Sequence, residues 1–183
     1  MITKIKLIGL IFIIIGISIP LYILSDNKVK EITYEKRVEN KLINKEEYFA
    51  ILEIPKINLK RELYNLDDEK NHVDKNILIH KNSTFPSETK SNIILAAHSG
   101  FGANAYFKNL YKLKINDEAI IYYEGNKYTY EIKEIEYQNK TGELYLKENF
   151  KQMLTLITCT YNNKKLQTIY YANIKNIEKI GEN

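Results

Sequence analysis

Short apolar runs, each bounded by turn-forming residues, recur along this chain from residue 48 onward. Most are rich in Ile, Tyr and Thr, which favour strands. The clearest hairpin joins Ala119–Tyr123 to Tyr128–Ile132, and between them Gly125 and Asn126 tolerate the positive φ of a tight turn. The other strand-like runs are Phe49–Ile54, Ile57–Leu59, Ile77–Ile79, Asn92–Ala97, Met153–Cys159 and Gln167–Ile174. The pattern predicts a mainly β domain, a barrel or a sandwich, with short helices at Ala103–Leu110 and near Gly142–Asn149.

The N-terminal segment is a different kind of sequence. Residues 7–24 carry no charge, and a helix of that length spans roughly 27 Å, close to the apolar thickness of a bilayer. Lys4 and Lys6 precede it, so the positive-inside rule places the rest of the chain outside the cell membrane. A cleaved signal peptide is the alternative, but no small-x-small site follows the run. We predict an anchor over 1–25, a charged stalk over 26–47 and a folded domain over 48–183.

The charge balance excludes one class of partner. The net charge is +4, and it falls to +2 when Lys4 and Lys6 are set aside. A nucleic-acid-binding domain concentrates basic residues on one face, and this sequence shows no such concentration. We therefore expect no nucleic acid among the partners.

Cys159 is the only cysteine, and it ends the run Met153–Cys159 just before a polar loop. A lone thiol outside the cytoplasm has no disulfide partner within its own chain, so it is either buried and inert or kept for its reactivity. His98 has a similar position, since it ends the run Ile93–Ala97 and precedes Ser99 and Gly100. If the two strand ends meet at one rim, His98 and Cys159 form an acid/base and nucleophile pair.

The remaining candidates for chemistry are weaker. His72 lies in a polar loop and His80 at the end of a short strand, where structural roles are the usual ones. The histidines and Cys159 show none of the compact spacings of zinc sites, so no metal or other cofactor is predicted. Ser99 lacks the Gly-x-Ser-x-Gly context of a serine nucleophile.

Three segments resemble one known family. The Thr-Leu-Ile-Thr-Cys sequence at 155–159 resembles the signature of sortases, the cysteine transpeptidases of Gram-positive cell surfaces. The segment 95–100, Leu-Ala-Ala-His-Ser-Gly, is similar to the family's histidine segment, and 52–57 is similar to its first-strand entry. The resemblance covers about residues 48–174 and keeps the family's order of segments.

The resemblance implies an eight-stranded β-barrel with the active site at one rim. Cys159 would attack a peptide bond of a sorting signal such as Leu-Pro-x-Thr-Gly, and His98 would transfer protons. Thr158, Ala97 and Ser99 would shape the substrate site. The acyl group would then pass to an amine of peptidoglycan or of a pilin subunit.

One position departs from the family pattern. Sortases carry an arginine on the strand after the cysteine, and Gln167 takes its place here. A glutamine amide donates hydrogen bonds to an oxyanion but lacks the charge, so we expect a catalytic role for Gln167 with weaker stabilisation. Two other possibilities stay open, a thiol protease of the same fold that transfers its acyl group to water, and a non-catalytic or impaired binding and assembly domain.

Overall fold

The computed structural model describes residues 48–142, 144–147 and 151–180. The predicted anchor over 1–25 and the stalk over 26–47 lie outside these residues. In the described ranges, no helix has the length and apolar character needed to cross a membrane.

Within the described residues, eight strands form a single sheet in the order β2-β1-β5-β6-β8-β7-β4-β3. The two edges of this sheet approach each other, since the Asn76 amide just before β3 donates to the Glu62 carbonyl in β2 at 2.7 Å. The predicted mainly β fold and eight-stranded, nearly closed barrel are therefore confirmed. The strands are β1 (Ala50–Ile54), β2 (Leu59–Leu63), β3 (Leu78–Ile79), β4 (Asn92–Ala96), β5 (Glu118–Tyr123), β6 (Asn126–Asn139), β7 (Met153–Thr160) and β8 (Asn163–Lys179).

Strand β7 is buried on both faces, which explains its continuous apolar sequence. Leu154 and Leu156 belong to the main core inside the barrel. Met153 and Ile157 belong to a second cluster on the opposite face, against which Leu144 and Leu146 pack. Because side chains alternate along a strand, Thr158 follows the inner set and Cys159 the outer set.

The tight turns differ in detail from the sequence prediction. In the β5–β6 hairpin the left-handed residues are Glu124 (φ 47°) and Gly125 (φ 72°), whereas Asn126 already pairs with Tyr123 in the ladder. A two-residue turn with both φ values positive matches the twist of the flanking strands. The β7–β8 loop is also shorter than predicted, because β8 begins at Asn163.

The prediction of a short helix at Ala103–Leu110 is wrong. This segment forms successive turns with hydrogen bonds between residues three apart, such as Lys108 N–H to Ala105 O at 3.0 Å. The Phe107 N–H donates instead to the distant His98 carbonyl at 3.0 Å, so no helical ladder develops. The helices in the described part of the chain are two 3-10 helices, at Pro55–Ile57 and Leu110–Lys112. In the second predicted helix, residues 144–147 are not helical.

Candidate active site

Two parallel strands bring the predicted histidine and cysteine to one edge of the sheet. In the β4–β7 pair, Ala96 lies opposite Ile157. The Ala97 N–H extends the pairing with a 3.3 Å hydrogen bond to the Ile157 carbonyl. His98 and Cys159 each lie two residues beyond the Ala96–Ile157 pair, and because the strands run in the same direction both side chains reach the same cavity.

Two side-chain hydrogen bonds tie these strand ends together. The Thr158 hydroxyl donates to the Ala97 carbonyl at 2.8 Å, and the Ser99 hydroxyl donates to the Cys159 carbonyl at 2.7 Å. Thr158 and Ala97 are each only 6% exposed and do not line the main cavity. Of the three residues predicted to bind substrate, only Ser99 lines that cavity. Thr158 and Ala97 are buried and join the ends of β7 and β4 through their hydrogen bond.

The Thr158 hydrogen bond gives a testable contribution to stability. In Thr158→Val the shape is nearly kept, but the buried Ala97 carbonyl loses its side-chain partner. We expect the free energy of unfolding to fall by about 1–3 kcal/mol. Chemical denaturation measures this change, and Thr141→Val, at an exposed position, is the control. Equal losses in both variants would contradict a special role for the Thr158 bond.

The cavity is open and has a volume of about 950 Å³. Tyr111 and Tyr161 stack on each other at its wall, with ring centroids 4.2 Å apart and planes inclined by 16°. Such a flat aromatic surface suits apolar parts of a ligand. Three lysines line the cavity and no aspartate or glutamate among the described residues does so; the lysines are Lys108, Lys140 and Lys164.

His98 has a carboxylate partner that sequence analysis missed. Its Nε2 donates to Oδ1 of Asp74 at 2.9 Å, and this hydrogen bond lowers the pKa of the Asp74 carboxyl below its ordinary value. Asn104 in turn donates its side-chain amide to the Asp74 carbonyl. Asp74 lies 24 residues before His98 in a polar loop, where no sequence pattern distinguishes it from its charged neighbours.

Cys159 also has an unpredicted partner. Its Sγ lies 3.4 Å from Nζ of Lys140, and no hydrogen bond joins Cys159 to His98. The thiol is half-buried, and it is a free cysteine. His98 and Cys159 thus have separate side-chain partners, and both line one cavity.

Gln167 is placed beside the cysteine but outside the cavity. It lies directly opposite Cys159 in the β7–β8 ladder, yet it is not among the residues that line the cavity. Arg61 is engaged elsewhere, since its guanidinium bonds Asn76 at 2.8 Å and the Tyr106 hydroxyl at 3.0 Å. Arg37 lies outside the described residues.

The other two histidines take no part in the cavity lining. His72 has its Nδ1 3.6 Å from Oδ2 of Asp74, and burial lowers the pKa of the half-buried His80. Within the described ranges, no three His, Cys, Asp or Glu side chains are grouped so that they could hold a metal ion.

Comparison with known proteins agrees with this geometry. The family model of the sortase domain matches residues 52–175 of this chain. Sortase C1 from Streptococcus agalactiae is 27% identical, with a TM-score of 0.60 over 70% of this chain and 68% of that chain. The sortase D5 transpeptidase of Clostridium perfringens is 26% identical, with a TM-score of 0.60 over 78% and 89%.

Sortase A from Listeria monocytogenes shares the fold. It is 17% identical, with a TM-score of 0.62 over 75% of this chain and 93% of that chain. No curated protein matches the sequence. The match to the family model spans most of the described domain and includes both His98 and Cys159. The chain belongs to the sortase family.

Proposed function

We propose that this protein is a cysteine transpeptidase that cleaves a sorting-signal peptide and transfers its acyl part to an amine. The observation that carries the proposal is the parallel β4–β7 pairing, which brings His98 and Cys159 to one open cavity. A thiol and an imidazole that share a solvent-accessible cavity supply a nucleophile and a proton donor.

The first half-reaction forms an acyl-enzyme. The Cys159 thiolate attacks the scissile carbonyl carbon, a C–S bond forms, and the carbonyl π electrons move to oxygen. When this oxyanion collapses, the C–N bond breaks and the departing nitrogen takes a proton from the His98 imidazolium. A thioester on Cys159 and a free amine result.

The second half-reaction transfers the acyl group. The acceptor amine attacks the thioester carbon and gives its proton to His98. The new C–N bond forms as the C–S bond breaks, so the thiolate and the imidazolium are both restored. Asp74 stabilises the imidazolium through its 2.9 Å hydrogen bond in both steps.

The substrate and the cellular location follow from the same proposal. A peptide of the Leu-Pro-x-Thr-Gly kind offers apolar side chains to the Tyr111–Tyr161 pair and its scissile bond to Cys159. The acceptor is an amine of peptidoglycan or of a pilin subunit. Residues 7–24 hold the enzyme in the cell membrane with the domain outside, where both substrates are found.

Trapping of the acyl-enzyme tests the proposal. Incubation with a Leu-Pro-x-Thr-Gly peptide is expected to add the mass of the N-terminal fragment to the intact protein. Cys159→Ala is expected to abolish the adduct because the attacking sulfur is absent. Absence of the adduct from the wild-type protein, tested over a panel of sorting peptides, would overturn the proposal.

A second measurement separates transfer from hydrolysis. With a peptidoglycan-like amine present, a transpeptidase yields a ligated peptide, whereas a thiol protease of the same fold yields only the free acid. Mass spectrometry of the released products distinguishes the two. Exclusive hydrolysis at saturating amine would contradict the transfer step while keeping Cys159 as the nucleophile.

A further inference from the structure

We propose that Lys140 supplies the positive charge beside Cys159 that an arginine on β8 is expected to supply in the family pattern. This inference rests on the proposed transpeptidase function and names a further residue of the same site. Its basis is the 3.4 Å contact between Nζ of Lys140 and Sγ of Cys159.

The sheet register explains how Lys140, the residue directly after β6, reaches β7. Gln138 of β6, Gln167 of β8 and Cys159 of β7 lie opposite one another in three adjacent strands. Lys140 lies one residue past the end of β6 and two beyond Gln138, so the alternation of side chains, continued past the strand end, gives it the face of Gln138. Its backbone is fixed to β8 by a 2.9 Å hydrogen bond from its N–H to the Lys165 carbonyl.

The pairing of β7 with β8 is irregular beside Cys159. Cys159 pairs with Gln167, but the next residue, Thr160, pairs with Asn163, so three β8 residues have no partner in β7. Such a bulge disrupts the ladder and bends the strand that carries it. The unpaired residues of β8 include Lys165, whose carbonyl accepts from the Lys140 N–H, so the irregularity lies between Lys140 and Cys159.

The charge of Lys140 is available to the sulfur. Among the described residues no carboxylate pairs with Lys140, and its contact with Cys159 is its side-chain hydrogen bond. Gln167 carries no charge, and Arg61 is held by Asn76 and Tyr106. Within the described domain, Lys140 is therefore the cation in contact with the nucleophile.

The ammonium group acts at two moments of acyl-enzyme formation. Before attack it places a positive charge 3.4 Å from the sulfur that acts as the nucleophile. During attack the negative charge moves from sulfur to the carbonyl oxygen, and the flexible lysine remains within reach of that oxygen. No bond to Lys140 forms or breaks, so it stabilises charge without transferring a proton.

Two assays on Lys140→Ala test the inference. Alkylation of Cys159 by iodoacetamide at neutral pH is expected to slow by about 5-fold, since a unit charge at this distance in water has an effect of that order. Acylation by the sorting peptide is expected to slow by about 10-fold, less than for a buried oxyanion donor because Lys140 is exposed. Lys165→Ala, which removes a neighbouring charge that does not line the cavity, is the matched control and is expected to react like the wild type.

Introducing an arginine at position 167 tests whether the charge of Lys140, and not its structural role, determines the two rates. Gln167 lies opposite Cys159, so Gln167→Arg in the Lys140→Ala background places a guanidinium beside the sulfur. We expect both rates to recover toward the wild-type values. Thermal unfolding of each variant checks that the fold is kept.

The outcomes separate this inference from the proposed function. Unchanged alkylation and acylation in Lys140→Ala, or equal losses in Lys165→Ala, would overturn the role of Lys140 while the wild-type adduct still supports a transpeptidase. A slower alkylation in Lys140→Ala together with no peptide adduct in the wild type would support the charge at the thiol and overturn the transpeptidase function.

Discussion

Replacement of His98 by alanine is expected to slow cleavage of the sorting-peptide amide by on the order of 10³-fold. An amide nitrogen leaves only when it receives a proton, and His98 is the imidazole in the cavity of Cys159. The His98 side chain is 46% exposed, so its removal leaves the core intact. Single-turnover acylation measures the loss.

An activated substrate separates the proton-transfer role of His98 from a general disturbance of the site. An aryl ester of the same peptide has a leaving group that departs without a proton. His98→Ala is therefore expected to retain far more of its acylation rate with the ester than with the amide. An equal loss with both substrates would contradict the role as proton donor, and an unchanged amide rate would exclude His98 from catalysis.

The second large effect is expected for Phe107, whose side chain is 0% exposed and lies in the main core. Phe107→Ala removes a buried ring and is expected to lower the free energy of unfolding by about 3–5 kcal/mol. The Phe107 N–H also donates to the His98 carbonyl at 3.0 Å. Loss of the buried ring is therefore expected to loosen the loop that carries His98 as well. Denaturant unfolding measures the change.

Phe101 provides the matched control, because it lies in the same loop but is fully exposed. Phe101→Ala is expected to change the free energy of unfolding by less than about 0.5 kcal/mol. A comparable loss in both variants would show that the loop, and not the buried ring, determines the stability.

The strands of the barrel were largely predictable from the sequence because burial leaves a local signature. Strand β7, buried on both faces, produces the continuous run Met153–Cys159, and the β5–β6 hairpin carries Gly125 at its turn. The helix predicted at Ala103–Leu110 is absent because this segment is fixed by contacts outside itself. The Phe107 N–H donates to the His98 carbonyl, which precedes the segment, and local helix propensity carries no information about such a bond.

The partners within the site could not be predicted for a related reason. Asp74 and His98 are 24 residues apart, and Lys140 and Cys159 are 19 apart, with β8 lying between β6 and β7. The first contact depends on the pairing of β3 with β4, and the second on the order of β6, β8 and β7. Gln167 was predicted because it occupies the expected linear position, whereas the lysine that contacts the sulfur lies just past the end of β6.

The two edge strands have a consequence for how a peptide is recognised. Strand β3 is only two residues long, and the other edge strand, β2, carries the charged residues Lys60, Arg61 and Glu62. Short and charged edges resist the addition of a further strand. A peptide that extended the sheet would bind by main-chain hydrogen bonds to one of these edges. We therefore expect the proposed peptide recognition to depend on side chains around the cavity, where substitutions would change specificity without disturbing the barrel.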